Sequence, residues 1–287
     1  MSSLLGIDLG GTKIAAARYD AQTWDMQEEE RTPTRSGKSF DTVAEDIIAL
    51  AQKLRSDDTT ALGIGVPGLV RHPEGVLVTL PNIPHAEEYP LKQKLTEALA
   101  LPVAVGNDAN CFTLAEAHCG AGKGKDVVVG ITMGTGVGGG IVVDGKIYRG
   151  SHGCAAEIGH MLLQPGQPPF KTTDKRGDIE QFLSGTAMGK RCEEAQRPED
   201  YLKGEVCAFL RPEIFREVAW MCVNLIHLLD PAVIIFGGSA GRALEPHLDA
   251  IKEELKQWML PRTPAPELTI AILPNAATLG AALLTQQ

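Results

Sequence analysis

Asp8, Gly10, Gly11, Thr12 and Lys13 stand together in the stretch GIDLGGTKIA, between two apolar runs. Glycines strip away the side chains that would keep a phosphate chain from backbone N–H donors. Thr12 adds a hydroxyl and Lys13 a compensating charge, while Asp8 can hold Mg²⁺ through its water shell. A plain hairpin turn with a capping threonine explains the same spacing. The device recurs in MGTGVGGG, where Gly134, Thr135 and Gly136 follow another apolar run. Two such turns would grip a phosphate chain from two sides. Asn107 and Asp108 lie where the strand-like PVAVGND gives way to a helical pattern. Strand ends of this kind are where α/β folds place ligands, so Asp108 is a candidate general base. A helix N-cap is the alternative.

These residues need a scaffold of alternating strands and helices. Leu4–Leu9 and Lys13–Tyr19 read as a glycine-turned hairpin, Phe40–Leu54 as a helix, and ALGIGVPG as a strand stopped by Pro67-Gly68. Helical patterns follow over Leu91–Leu101 and Ala109–His118, and DVVVGITMGTGVGGGIVVDGKIYRG reads as two or three strands. Gly150–Phe182 is irregular, and QPGQPPFKTTDKRG within it is a loop. Glu213–Leu229, Leu244–Met259 and Ala276–Leu284 read as helices, with strands at AVIIFGG and ELTIAIL. The alternation predicts an α/β fold. The echo of one glycine-turned strand pair by the other predicts two similar lobes, 1–107 with a helix at 275–287 packing back on it, and 108–274.

At 287 residues, 44% apolar and 22% charged, the chain is an ordinary globular protein able to bury a large core. Its net charge of −9 argues against nucleic-acid binding, which draws its affinity from Lys and Arg on phosphates. No stretch reaches the roughly 18 apolar residues of a membrane span, and no secretory leader pattern opens the chain, so the expected location is the cytoplasm. The six cysteines, Cys111, Cys119, Cys154, Cys192, Cys207 and Cys222, show no CxxC pair and read as reduced thiols.

GIDLGGTKIA, GIGVPG, GNDAN, GITMGTGVGGGIVVDGKIYRG, AAEIGHM and IIFGGSAG stand in the order and spacing of one family. The chain resembles the ROK family of sugar kinases and related repressors, within the actin-like ATPase superfamily. That resemblance implies two ribonuclease-H-like lobes with the active site in the cleft between them, and ATP- and Mg²⁺-dependent transfer of phosphate to a hexose hydroxyl. It assigns the base to Asp108. It assigns sugar contacts to Asn82, Asn107, Glu157, His160 and Glu180, with Gly65, Pro67 and Gly68 shaping the loop beside the ring. For Glu180 a solvated helix position is the alternative. Gly237 and Gly238, with Ser239, become the adenosine-side contact, although a strand-to-helix turn accounts for that pair as well. Glucose is the expected acceptor at its 6-hydroxyl. N-Acetylglucosamine stands next, since NDANCF and GTGVGGG are similar to that subgroup and the loop LPNIPHAEEYP could admit an acetamide; N-acetylmannosamine, fructose and allose stay open. Relatives of this kind are usually homodimers.

The chain departs from the family in places. KTTDKRGDIE puts Lys171, Thr173 and Asp178 where most relatives carry zinc-binding cysteines, so no structural zinc is expected, and His160 and the loop 164–176 need other support. The C-terminal LPNAATLGAALL keeps Gly280-Ala281-Ala282 but lacks the usual Gly-Asp before it. A DNA-binding repressor would need an N-terminal extension for which there is no room before Gly6, and a dead sugar-binding module would not be expected to keep Asp8, Thr12 and Asp108.

Overall fold

The computed structural model describes the chain except for Met1, Ser36, Lys38, residues 168–175 and residues 196–197. It resolves into two compact units, one made of Met1–Ala115, Lys146–Ala155 and Leu273–Gln287, the other of Glu116–Gly145 and Ala156–Ile272. The division falls inside a helix rather than at 107/108, and 146–155 group with the first unit.

In the first unit, β1 (Ser3–Leu9), β2 (Lys13–Asp20) and β3 (Met26–Pro33) form a meander, followed by α1 (Phe40–Leu54), β4 (Thr59–Val66), the short β5 (Leu69–Arg71) and β6 (Val76–Thr79), α2 (Leu91–Leu99) and β7 (Val103–Asn107). The sheet runs β3-β2-β1-β4-β7. β1, β4 and β7 are parallel, so their C-terminal ends, which carry Asp8, Val66 and Asn107, lie along one edge of the sheet. The apolar stripe of α1, Val43, Ile47, Leu50 and Leu54, packs with Leu5, Ile7 and Ile64 in the core on one face. α3 (Asp108–Cys119) leads into the second unit, and the chain's last α-helix returns to cover β1 and β4. A Cβ on Gly63 would sit 1.7 Å from the Ala281 carbonyl oxygen. Helix and sheet therefore meet backbone to backbone.

The second unit carries β8 (Val127–Met133) and β9 (Val137–Val143), with β10 (Lys146–Ile147) opening the segment that belongs to the first. Then come α4 (Ile179–Leu183), α5 (Gly185–Arg191), α6 (Pro198–Lys203), α7 (Arg211–Leu229), β11 (Val233–Gly237), α8 (Gly238–Ala243), α9 (Leu248–Trp258), β12 (Glu267–Ile270) and the returning α10 (Ala276–Leu283). β8 pairs antiparallel with β9 and parallel with β11, which pairs parallel with β12. The α/β reading and both glycine-turned hairpins stand. So do α1 and, within a few residues, the later helices. α9 starts at Leu248 rather than Leu244, because Pro246 leaves residues 245–247 in a 3₁₀ turn. Gly150–Phe182 contains the 3₁₀ turn Ile158–His160 and the start of α4, so it is less irregular than expected.

The expectation of six reduced thiols is corrected. Cys192 and Cys207 form a disulfide with their Cα atoms 6.3 Å apart. The chain folds back over α6 between them, which brings together positions that sequence spacing does not pair. Cys111, Cys119, Cys154 and Cys222 are free. Among the described residues no helix is long and apolar enough to cross a membrane.

Arg191 and Glu217 anchor α5 to α7. Their side chains are 3% and 1% exposed and paired at 2.6 Å, with a second contact at 3.1 Å. Arg191 also reaches Glu213 at 3.0 Å and the Phe182 carbonyl at 3.1 Å. Burial, only partly offset by Arg191, pushes the Glu217 carboxyl up to about 7. A buried charge that loses its partner is costlier than a pair replaced by apolar groups. Glu217→Ala is accordingly expected to lower unfolding free energy by about 3–5 kcal/mol in urea denaturation, and adding Arg191→Met to recover much of the loss.

Candidate active site

β1 is a buried apolar strand that must end in a tight turn before β2 pairs with it. The Gly10 N–H donates to the Lys13 carbonyl at 2.9 Å and closes that turn. Thr34, just beyond β3, holds it from the side: its hydroxyl donates to the Gly10 carbonyl at 2.7 Å, and its N–H to the Thr12 carbonyl at 2.9 Å. Gly11 lies against Asn82, whose Cβ would be 3.3 Å from any Cβ added there. The exposed Thr12 and Lys13 thus ride on a backbone fixed by two neighbouring segments.

Asp8 closes the same strand, largely withdrawn from water. Desolvation raises its carboxyl to about 6, and the Lys13 charge offsets only part of that. Among the described residues no group of three His, Cys, Asp or Glu could cage a metal ion. One desolvated carboxylate beside a glycine turn fits Mg²⁺ held mainly by water and by a ligand's own phosphates, the usual manner for that ion.

At the end of β7 both Asn107 and Asp108 meet the start of α3. Asn107 caps α3: its Oδ1 accepts the N–H groups of Ala109 at 2.9 Å and Asn110 at 3.1 Å. Its Nδ2 donates to the Gly68 carbonyl at 3.2 Å, fastening the loop after β4. This side chain, expected on a sugar, is thus already engaged in fixing helix and loop. Gly68 has φ +144°, and a Cβ there would lie 2.3 Å from the Thr79 carbonyl oxygen. Asp108 is half-buried, with one carboxylate oxygen accepting the Ala109 N–H at 2.8 Å. Gly65 passes close behind it, 3.5 Å from the Asp108 Cα when given a Cβ.

In the second unit the Gly134-Thr135-Gly136 turn is built the same way. The Gly134 N–H donates to the Gly136 carbonyl at 2.9 Å, and Gly134's own carbonyl accepts the Gly185 N–H at 2.7 Å. Glu180 is no solvated helix residue. Its Oε2 accepts the Val137 N–H at 2.9 Å and leaves no room for a Cβ at Gly136. Glu157 is half-buried, and burial, reinforced by Glu180 and opposed by His160, raises its carboxyl pKa. Gly238 has φ +75° at the β11–α8 turn and packs on the Met133 backbone, so the Gly237-Gly238 pair abuts the end of β8.

His160 meets the buried carboxylate of Asp178. The His160 Nδ1–H donates to Asp178 Oδ2 at 3.4 Å, and that carboxylate also meets Arg176 at 3.3 Å. Asp178 is 1% exposed and caps α4 through the Gln181 N–H. The Gly177 carbonyl accepts the N–H groups of Leu163 and Gln164, which ties the two ends of the 164–176 loop together. Lys171 and Thr173 lie outside the described residues. A carboxylate already shared by a guanidinium, an imidazole and a helix cap, with no group of His, Cys, Asp or Glu able to hold a metal among the described residues, does not fit a tetrahedral zinc site.

The expected residues therefore gather as two sets. Asp8, Gly10–Lys13, Gly68, Asn82, Asn107 and Asp108 belong to the first unit; Gly134–Gly136, Glu157, His160, Glu180, Gly237 and Gly238 belong to the second. Thr34 and the positioning role of Asp178 escaped sequence reading. Thr34 sits in a polar stretch without a motif, and the partner of His160 is set by a tertiary contact.

Glucokinase from Streptomyces coelicolor is 32% identical over 100% of this chain and 98% of its own length. N-Acetyl-D-glucosamine kinase from Pectobacterium atrosepticum is 30% identical over 94% and 91%. The structure of a ROK family glucokinase from Streptomyces griseus in complex with glucose and AMPPNP superimposes with a TM-score of 0.79 at 31% identity, covering all of both chains. The chain has the two-lobed actin-like ATPase fold of these kinases. The ROK family profile matches residues 4–287, and with these relatives alike over their whole length, the chain belongs to the ROK family.

Proposed function

We propose that this chain, a sugar kinase of the hexokinase type, transfers the terminal phosphoryl group of ATP to the 6-hydroxyl of glucose. The observation that carries the reading is the β7–α3 junction. There Asn107 takes the capping bonds, and the Asp108 carboxylate stands at the sheet edge on a fixed helix start. A sugar hydroxyl is too weak an acid to ionise at neutral pH. Asp108 accepts its proton as the new oxygen–phosphorus bond forms and the bond to the departing ADP breaks. Glu157 and His160 orient the ring hydroxyls, and Glu180 holds the Gly134–Gly136 turn in shape for the nucleotide phosphates. Gly10, Gly11, Thr12 and Lys13 bind those phosphates from the first unit, and Gly237-Gly238 takes the adenosine side. Asp8 would hold the Mg²⁺ that accompanies the nucleotide, and that ion would supply charge neutralisation at the phosphates.

Relatives named for N-acetylglucosamine are about as similar as those named for glucose, which keeps N-acetylglucosamine as the second reading. Discrimination at the second ring carbon rests on a few atoms. A coupled assay of ADP release with glucose, N-acetylglucosamine, N-acetylmannosamine, fructose and allose tests both. Glucose is expected to give the highest kcat/KM; a higher value for N-acetylglucosamine replaces the first reading with the second, and no ADP release with any sugar removes the kinase assignment.

A further inference from the structure

Beside β7, within the first unit, lies a cavity of about 300 Å³ that the phosphoryl-transfer machinery does not use. His72, Lys92 and Arg149 line it, with Thr285 at one side and no Asp or Glu side chain. A narrower niche of about 20 Å³ adjoins it, sharing His72 and Arg149, and Asn110 reaches into it. Asn110 is 8% exposed, and its Oδ1 is buried without a hydrogen-bond partner.

Arg149 is the unusual group. It is half-buried, yet its guanidinium makes no ion pair or side-chain hydrogen bond among the described residues. Other partly buried arginines find partners: Arg191 two glutamates, Arg18 Glu28 and Gln27, and Arg211 the Gly204 carbonyl. Burying a guanidinium with nothing opposite is costly, and burial indeed pulls its pKa down. The charges facing His72 are Arg149, Lys92 and Glu74, and Glu74 is exposed outside the cavity lining. Lys92 donates to the Pro73 carbonyl at 3.0 Å, which leaves two of its ammonium protons for a ligand.

We propose that this cavity is an anion site for a phosphate group, free or as the monoester of a small metabolite, with Arg149 as its principal ligand and Lys92 and His72 beside it. A guanidinium offers paired donors matched to phosphate oxygens, and a lysine adds charge. The niche under Arg149 is large enough for one water, which satisfies Asn110 Oδ1 and can bridge it to the anion. Its lining includes Gly106 and Asn107 of β7, next to the capping side chain of α3, so an occupant would also stiffen the strand end that carries Asp108.

The test is isothermal titration of the full chain with inorganic phosphate and, separately, with glucose 6-phosphate, for wild type, Arg149→Met and Lys92→Met. Saturable binding weakened about 10- to 100-fold by Arg149→Met and less by Lys92→Met is expected, as for loss of charge-assisted hydrogen bonds. Binding of both probes with this pattern assigns the site to phosphate itself; binding of glucose 6-phosphate alone, weakened by the same substitutions as product at the transfer site would not be, assigns it to an ester. Binding that neither substitution changes, or no saturable binding of either probe, overturns the proposal. Should Arg149→Met fail to fold by circular dichroism, Lys92→Met and His72→Gln decide it in the same titration. None of these side chains belongs to the proposed transfer machinery, so either outcome leaves the kinase reading to its own assay.

Discussion

Asp108→Asn is expected to lower kcat about 10²- to 10⁴-fold while changing the KM for sugar little. The substitution keeps the shape and one oxygen of the side chain, so it can still accept the Ala109 N–H as Asp108 does at 2.8 Å. It removes the basicity that takes the hydroxyl proton. Since Asn107 supplies the capping bonds of α3, the variant should melt near the wild-type temperature. A capping role for Asp108 makes the opposite forecast: stability lower by about 1 kcal/mol for an alanine in its place, and turnover nearly intact. Steady-state kinetics beside thermal melts of Asp108→Asn and Asp108→Ala separate the two. A near-normal kcat in the asparagine variant removes Asp108 as the base.

The parts of the molecule legible in the sequence are those where local pattern and burial coincide. β1 is buried almost throughout and ends in Gly10-Gly11; α1 carries its apolar residues on one stripe from Phe40 to Leu54. β3 was invisible because it is an edge strand: its MQEEERTP is exposed nearly from end to end, and with neither face buried it shows no alternation. α4 and α5 are too short for a helical period to emerge, and only their caps, Asp178 and Ser184, mark them. At the site, glycine turns betray themselves by composition, but their supports do not. Glu180 bonds Val137, and Thr34 bonds Gly10, across sequence distances that no motif spans. Cys192 and Cys207 pair only because α6 turns the chain back between them. Asp178 was singled out in the sequence; that it is buried and meets His160 needed coordinates.

Asp8→Asn is expected to make the chain more stable and much less active. The Asp8 carboxyl sits at about 6 in the folded chain, above the ordinary 3.8, because burial disfavours its charge. Between those values the folded state binds more protons than the unfolded one, so stability falls as pH rises through the interval, and above pH 6 the whole cost is present. A shift of this size corresponds to the order of 3 kcal/mol. Asparagine carries no charge to desolvate, so the variant without magnesium should unfold at higher urea at pH 7, and its stability should be flatter between about pH 4 and 6. Its kcat/KM is expected to fall by at least about 10²-fold, since the charge proposed to meet hydrated magnesium is gone. Magnesium with an ATP analogue should raise the melting temperature of wild type more than that of the variant. If instead the variant is less stable at pH 7, Asp8 is holding the turn by its own bonds rather than waiting, at a cost, for a cation, and the strand end would have to be understood as structural.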